Sequence, residues 1–317
     1  MKHLSIENYL TGNRFAEIKV GQSGADVYEI NGDSILKHVE RRKLESSLFD
    51  TYSREALFYQ SRADSGCSYL PKIIGLEISD DEIILLMKKY QCPHRGDMDE
   101  PMIRKVARAL ACVHTDSIPE FLDCDRKPVK ILSEPQIEEY LAGWKDVLNE
   151  HPGAFDEIPL KETAEKINRI IAWHNTEESV LVHGDFHWEN LLTDDCGNIL
   201  ICDWQSVGVG GASGDISFFM SRLGSDGVRL DPKIFLKHYA DAIREISGRT
   251  VDIQSIEEHM AAANVITSFA FWHQFLHGAA VERVRGIYEK MIDDCMMMNG
   301  SPEAVKALND TAYGDCI

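Results

Sequence analysis

The sequence predicts an α+β protein in which residues 1–92 form an antiparallel, β-rich part and residues 93–317 a mainly helical one. Three observations carry that expectation. Short β-branched runs bounded by turn residues fill the first part, helical spacing of apolar residues takes over after Pro93, and the charge balance changes with them. Of the net charge of −19, residues 1–92 hold 12 basic and 14 acidic side chains, whereas residues 93–317 hold 21 and 38. An acid-rich second part disfavours nucleic acid or an anionic membrane surface as partner, because both demand clustered Lys and Arg.

Composition narrows the class further. With 44% apolar and 27% charged residues the chain has the balance of a folded globular protein. No run reaches the roughly 18 to 20 apolar residues of a membrane span. The opening "MKHLSIENYL" lacks the apolar core of a secretory signal, so a cytoplasmic location is expected. The eight cysteines contain no C-x-x-C pair, which leaves no legible disulfide framework or cysteine zinc site and predicts reduced, mostly buried thiols.

In chain order, strands are expected at 16–20, 25–30, 34–40, 72–78 and 82–88, together making a five-stranded antiparallel sheet. Between the third and fourth, "YSREALFYQSR" (52–62) is helical in composition, with Ser53 as its candidate N-cap. Ile103, Val106, Ala107, Leu110 and Val113 repeat at helical spacing, as do Ile137, Tyr140, Leu141, Trp144, Val147 and Leu148. Further helices are expected near 160–175, 232–247 and 255–298, and "LLTDDCGNILICDW" (191–204) reads as a hairpin turning at Gly197-Asn198.

The stretch "VHGDFHWENLL" (182–192) gathers polar groups ahead of an apolar run, and the strand "ILICDW" delivers a second carboxylate, Asp203, to its end. Asp185, Asn190 and Asp203 are the trio that phosphoryl transfer from a magnesium nucleotide requires: one carboxylate for the hydroxyl proton, an Asn and a second carboxylate for the metal. Hard oxygen ligands suit magnesium, and few protein ligands suffice because water and phosphate complete its octahedron.

"HGDFHWEN" followed by "CDW" resembles the signature of the aminoglycoside phosphotransferases and their choline kinase-like relatives, small-molecule kinases with a protein-kinase-like fold. Gly184 in place of Arg, and Trp204-Gln205 after the second Asp, point to the small-molecule branch rather than to protein kinases. The resemblance spans roughly residues 16–290. It implies a two-lobed fold, an N-terminal nucleotide-binding lobe over 1–92 and a catalytic and substrate-binding lobe over 93–317. It also implies Asp185 as base, Asn190 and Asp203 as magnesium ligands, ATP or GTP as co-substrate, and His183 as support for the loop. The acceptors it offers include aminoglycosides, choline and other amino alcohols.

The first part must then grip the nucleotide. Gly21 and Gly24 in "VGQSGADVYEI" sit in a turn between two strands, where backbone amides can approach phosphates. Lys37 lies mid-strand on an apolar side and needs a partner. The resemblance implies phosphate contact and an ion pair to the following helix, for which Glu55 is the first candidate and Glu45 the rival. His187 and Glu189 read as variable loop positions, His114 as a packing histidine, and Asp215 as a structural Asp opening a helix. The aromatic residues of "SFAFWHQFLH" (268–277) read as core rather than as a ligand platform. A cationic, hydroxyl-bearing acceptor is expected from the acidic field. A metabolite kinase, a non-catalytic pseudokinase and a nucleotidyltransferase are the rival readings.

Overall fold

The computed structural model describes residues 6, 11–18, 24–63, 65–93, 98–122, 128–225, 227, 228 and 230–299. The chain divides into two compact units, one formed by 1–125, 180–210 and 218–251, the other by 126–179, 211–217 and 252–317.

The first unit contains the expected five-stranded antiparallel sheet, in the order β1 (Phe15–Glu17), β2 (Asp26–Ile30), β3 (Ser34–Glu40), β5 (Glu82–Lys88) and β4 (Ile73–Ile78). Strands β2 to β5 match the expected runs to within a residue. The first begins one residue earlier than expected, and residues 19 and 20 of its predicted span lie outside those described. Asn31 and Gly32 turn the β2–β3 hairpin, both at positive φ. Lys37 pairs in register with Val27 and with Leu85, so it sits at the centre of the sheet. Alternation puts Val39 and Ile83 in a cluster with Phe49, Tyr52 and Ala56 of the following helix, while Leu36, Ile84 and Leu86 build a separate cluster with Ile30.

That helix, α1 (Ser46–Ser61), starts six residues before the expected boundary, and Ser53 is interior to it, with its hydroxyl donating to the Phe49 carbonyl. No side chain caps its start. Burial of Phe49 against the sheet holds the first turn instead, which a search for capping residues cannot anticipate. Phe49, Tyr52, Ala56 and Tyr59 form its buried stripe, and Glu55 is the one carboxylate within it.

Helix α2 (Glu100–His114) is capped by Asp99, whose carboxylate accepts from the Met102 amide. It packs on α6 (Pro232–Ser247), where His114 Nδ1 meets the Tyr239 hydroxyl at 2.8 Å in a buried contact. His114 is thus a packing histidine, as expected. Four short strands follow the catalytic-type motif in and out: β6 (Ser179–Val182), β7 (Leu191–Thr193), β8 (Ile199–Ile201) and β9 (Gly208–Gly211). β7 and β8 form the expected hairpin, with Gly197 at φ +76° and Asp194 accepting from the amides of Cys196 and Asn198.

The second unit is built on α3 (Glu134–Asn149), α4 (Ile158–His174), α7 (Ile253–Phe271) and α8 (Val281–Asn299) around one core that includes Trp144, Leu160, Ile167, Val265, Phe269 and Met291. A further helix, α5 (Ala212–Ser225), carries Asp215 buried in its first turn. The helical pattern expected over about 255–298 forms two helices, separated by a 3-10 turn at Trp272–Phe275 and by Gly278 at φ +69°. The aromatic run is only partly core: Phe269 and His273 are buried, but Phe271 and Phe275 are 60% and 64% exposed. The thiols also differ from expectation. Of the six described cysteines all are free and only Cys295 is buried, while Cys92 and Cys196 are exposed. Among the described residues no helix is long and apolar enough to cross a membrane.

Candidate active site

The loop from β6 to β7 is shaped by alternation. Phe186 and Trp188 point inward as buried pegs, Phe186 against Phe219 at 5.2 Å, so Asp185, His187 and Glu189 fall on the outer side. Gly184 adopts φ +79°, a backbone conformation that costs an L side chain about 1–2 kcal/mol. A Cβ there would also fall on the carbonyl of Ser206. Glycine is therefore required twice over, by conformation and by approach.

His183 is fully buried and stitches this loop to the segment bearing Asp203. Its Nδ1 accepts from the Asp185 amide at 3.2 Å and its Nε2 stands 3.0 Å from the Cys202 carbonyl, a pair of contacts that only the neutral ring protonated on Nε2 satisfies. The Cys202 amide in turn donates to the Asn190 carbonyl at 2.9 Å. Asn190 is buried, and its Nδ2 donates to the Asp185 carbonyl at 2.9 Å and lies 3.3 Å from the Asp185 carboxylate. This is what the five-residue spacing accomplishes: one turn of chain brings the amide back onto the acid.

Asp203 follows β8 at φ +65°, one of two described non-glycine residues with positive φ. The conformation turns its carboxylate towards the sheet, where Oδ1 accepts from Lys37 Nζ at 3.2 Å and from Gln205 Nε2. Trp204 anchors the turn: it is fully buried, donates from Nε1 to the Ile201 carbonyl, stacks on Phe58 of α1 at 4.3 Å and meets His183 edge-on at 4.6 Å.

Lys37 Nζ lies 2.7 Å from Glu55 Oε2 and 4.8 Å from the centre of the Tyr52 ring. Glu45 is exposed at the start of α1, so Glu55 is the partner. Burial by itself would drive the ammonium's pKa down, but the carboxylates of Glu55 and Asp203 outweigh it and hold Lys37 above the ordinary lysine value. Burial also raises the Asp203 carboxyl, and there the attraction of Lys37 wins and leaves it below the usual range. At Glu55 burial dominates and raises the pKa against the pull of Lys37.

Gly24 lies at φ +77°, where a Cβ would collide with the Leu44 side chain, and Gly21 lies outside the described residues. The structure also brings forward residues that the sequence did not single out for the site: Gln205 on Asp203, Tyr52 beneath Lys37, and Arg222, which pairs with Glu189 at 3.0 Å. His187 stands 3.5 Å from the Asp185 carboxylate and 3.1 Å from Asn190 Nδ2. Helical spacing marks Tyr52 as a buried face residue but does not reveal its place against Lys37, and Gln205 and Arg222 have no periodicity to betray them.

An antiparallel sheet with a helix that carries the partner of its central lysine, and an Asp–Asn loop sewn to a second Asp, define a kinase-type site on a protein-kinase-like fold. The model of the phosphotransferase enzyme family matches residues 16–248, and the chain belongs to that family. No curated protein matches the chain by sequence. Among solved structures, aminoglycoside phosphotransferase APH(2'')-Ib, ADP-bound, is similar at a TM-score of 0.52 and 15% identity, covering 91% of this chain and 95% of that one. The ethanolamine kinase of Plasmodium vivax is similar at a TM-score of 0.56 and 12% identity, covering 96% and 86%. The amicoumacin kinase hAmiN, in complex with AMP-PNP, Ca2+ and Ami, gives 0.55 and 14%, covering 87% and 88%. These likenesses establish the fold, and the family makes the protein a phosphotransferase.

Proposed function

We propose that the protein transfers the γ-phosphoryl group of ATP or GTP to a hydroxyl of a small cationic acceptor, such as an aminoglycoside or another amino alcohol, in the cytoplasm. Residues 1–92 grip the nucleotide and residues 93–317 supply the catalytic loop and the acceptor site. One observation carries this reading: Lys37 is shared between Glu55 and Asp203 while Asn190 is folded onto Asp185, an arrangement that supports phosphoryl transfer. The presence of the Lys, both Asp and the Asn together disfavours a non-catalytic pseudokinase.

Asp185 takes the proton from the acceptor hydroxyl as its oxygen bonds to the γ-phosphorus. The bond from phosphorus to the β–γ bridging oxygen breaks, and the nucleoside diphosphate leaves with that electron pair. Lys37 would place its ammonium against phosphate oxygens, and Gly21 and Gly24 are proposed to contribute backbone amides to the same phosphates. The residues fit magnesium: donation from Asn190 Nδ2 to Asp185 leaves the amide oxygen as the ligand atom, and Lys37 and Gln205 occupy Oδ1 of Asp203 and leave Oδ2. When bound, the ion supplies charge neutralisation at the phosphates.

Two supports favour a cationic acceptor: the acid excess of residues 93–317, and neighbours of known structure that include an aminoglycoside phosphotransferase and an ethanolamine kinase, named for hydroxyl-bearing amines. The experiment is a screen of aminoglycosides, choline, ethanolamine, sugars and amino acids for acceptor-stimulated release of nucleoside diphosphate. The KM of the best acceptor is then measured as ionic strength rises to about 0.15 M, where the Debye length falls to about 8 Å. A KM that climbs with salt supports the proposal, and a neutral best acceptor or a salt-independent KM refutes its cationic part.

A further inference from the structure

Within the helical unit, His174, Glu177 and His259 converge so that one ligand atom from each lies within 4.8 Å of the others. We propose that these three residues bind a single zinc-like transition-metal ion, at a site separate from the magnesium site of the reaction.

The chemistry of the donors selects the class of ion. Two imidazoles with one carboxylate suit zinc, cobalt or nickel, whereas magnesium prefers oxygen ligands. Metal–ligand bonds of about 2.0–2.2 Å in a tetrahedron place donor atoms about 3.4 Å apart, so closing the trio on an ion needs shifts below about 1 Å. Water completes the fourth position. The site is also sheltered, with His174 and His259 at 9% and 5% exposure.

Two of the ligands are held by outside contacts, as metal-binding side chains commonly are. The His259 ring stacks on Trp173 with centroids 4.8 Å apart and planes 5° from parallel, which fixes its orientation. Glu177 accepts from the Ser213 amide at 2.8 Å and the Ser213 hydroxyl at 2.6 Å, which fixes its carboxylate at the start of α5. An ion there would bolt the C-terminal end of α4 to α7 and to the residue that holds the first turn of α5. The other cluster of similar composition, Asp26, His38 and Glu40, behaves differently: Lys43 Nζ already sits 2.8 Å from Asp26 and 2.7 Å from Glu40, so an ammonium fills the place of an ion.

The test uses the full chain purified without a histidine tag, stripped with chelator and titrated with zinc by calorimetry in millimolar magnesium. Cobalt is titrated in parallel for its visible absorption. The expected result is one zinc per chain and a tetrahedral-intensity cobalt band. His259→Phe, which keeps a ring against Trp173, and Glu177→Gln, which keeps an acceptor for Ser213, should each weaken zinc roughly 100-fold or more. Zinc at about 100 times its Kd should raise the melting temperature of the native sequence by a few degrees and leave that of His259→Phe unmoved. Failure of the unaltered protein to bind zinc stoichiometrically, or binding undiminished in both variants, overturns the site and leaves a packed polar cluster. Neither result touches the phosphotransferase reading.

Discussion

The ammonium of Lys37 stands 3.2 Å from the carboxylate of Asp203, a residue 166 positions further along the chain. Glu55 holds the other side of the same ammonium at 2.7 Å, and Trp204, next to Asp203, stacks on Phe58 one turn beyond Glu55. Helix α1 and the Asp203 turn are therefore set by the same contacts, and the proposed grip on phosphate would depend on both.

Glu55→Gln tests that dependence. The variant keeps the shape of the side chain and removes its charge, leaving Asp203 as the one carboxylate on Lys37. Turnover should fall about 10- to 100-fold, a loss of about 1.4–2.7 kcal/mol in transition-state stabilisation, with the fold retained by circular dichroism. Unchanged kcat/KM would show that the pair does not position Lys37 for the reaction.

The direction of the Lys37 shift fixes a pH dependence. A lysine raised above its ordinary value contributes fully below the free-lysine pKa of about 10.4 and loses that contribution only as pH climbs through its own higher value. Asp203, lowered, contributes above the free-carboxylate pKa of about 3.9 and loses it only as pH falls through a still lower value. Nucleotide affinity, followed by fluorescence or calorimetry, should hence show no loss from Lys37 between about pH 7 and 10. A titration in that window that Lys37→Arg abolishes would contradict the assignment.

Asp203→Ala removes a carboxylate that both holds Lys37 and fits the metal. Magnesium-dependent nucleotide binding should be abolished, whereas Lys37→Ala should weaken turnover more than it weakens the affinity for magnesium. Calorimetric titration of nucleotide with and without magnesium separates the two. Normal magnesium-dependent binding by Asp203→Ala would move the metal site elsewhere, with Glu189 the next carboxylate to test.

Gly184→Ala tests the backbone of the loop. The left-handed conformation and the nearby Ser206 carbonyl together should destabilise the protein by about 2 kcal/mol or more, and displacement of Asp185 should depress turnover further than the stability loss explains. Chemical denaturation and steady-state rates measured on one preparation distinguish the effects. A variant with native stability would remove the argument that glycine is structurally required.

Much of this was legible in the residues, for physical reasons that differ by element. The strand 34–40 was readable to the residue because alternation along a sheet with a buried face leaves little freedom in register. The Asp185–Asn190 pair was legible as a motif, and the structure brings the Asn190 amide back onto Asp185. The start of α1 was not, since Phe49 buries against a sheet strand that is distant in sequence, and no local cap marks the boundary. The contacts of Gln205 with Asp203 and of Tyr52 with Lys37 are not legible in the sequence because they arise from Asp203's positive φ and from Lys37's reach, both tertiary properties. Phe271 and Phe275 are exposed although the sequence predicts core there, because helical spacing identifies a face without saying what covers it.

The central claim is that Asp185 serves a phosphoryl transfer to an acceptor hydroxyl, and the most direct measurement compares acceptor-stimulated nucleoside diphosphate release by the native protein and by Asp185→Asn. The account predicts magnesium-dependent release stimulated by acceptor, a phosphorylated acceptor as product, and a drop of about 10²- to 10⁴-fold in kcat for the variant at unchanged nucleotide affinity. Full turnover by Asp185→Asn, or pyrophosphate in place of the diphosphate, would contradict it.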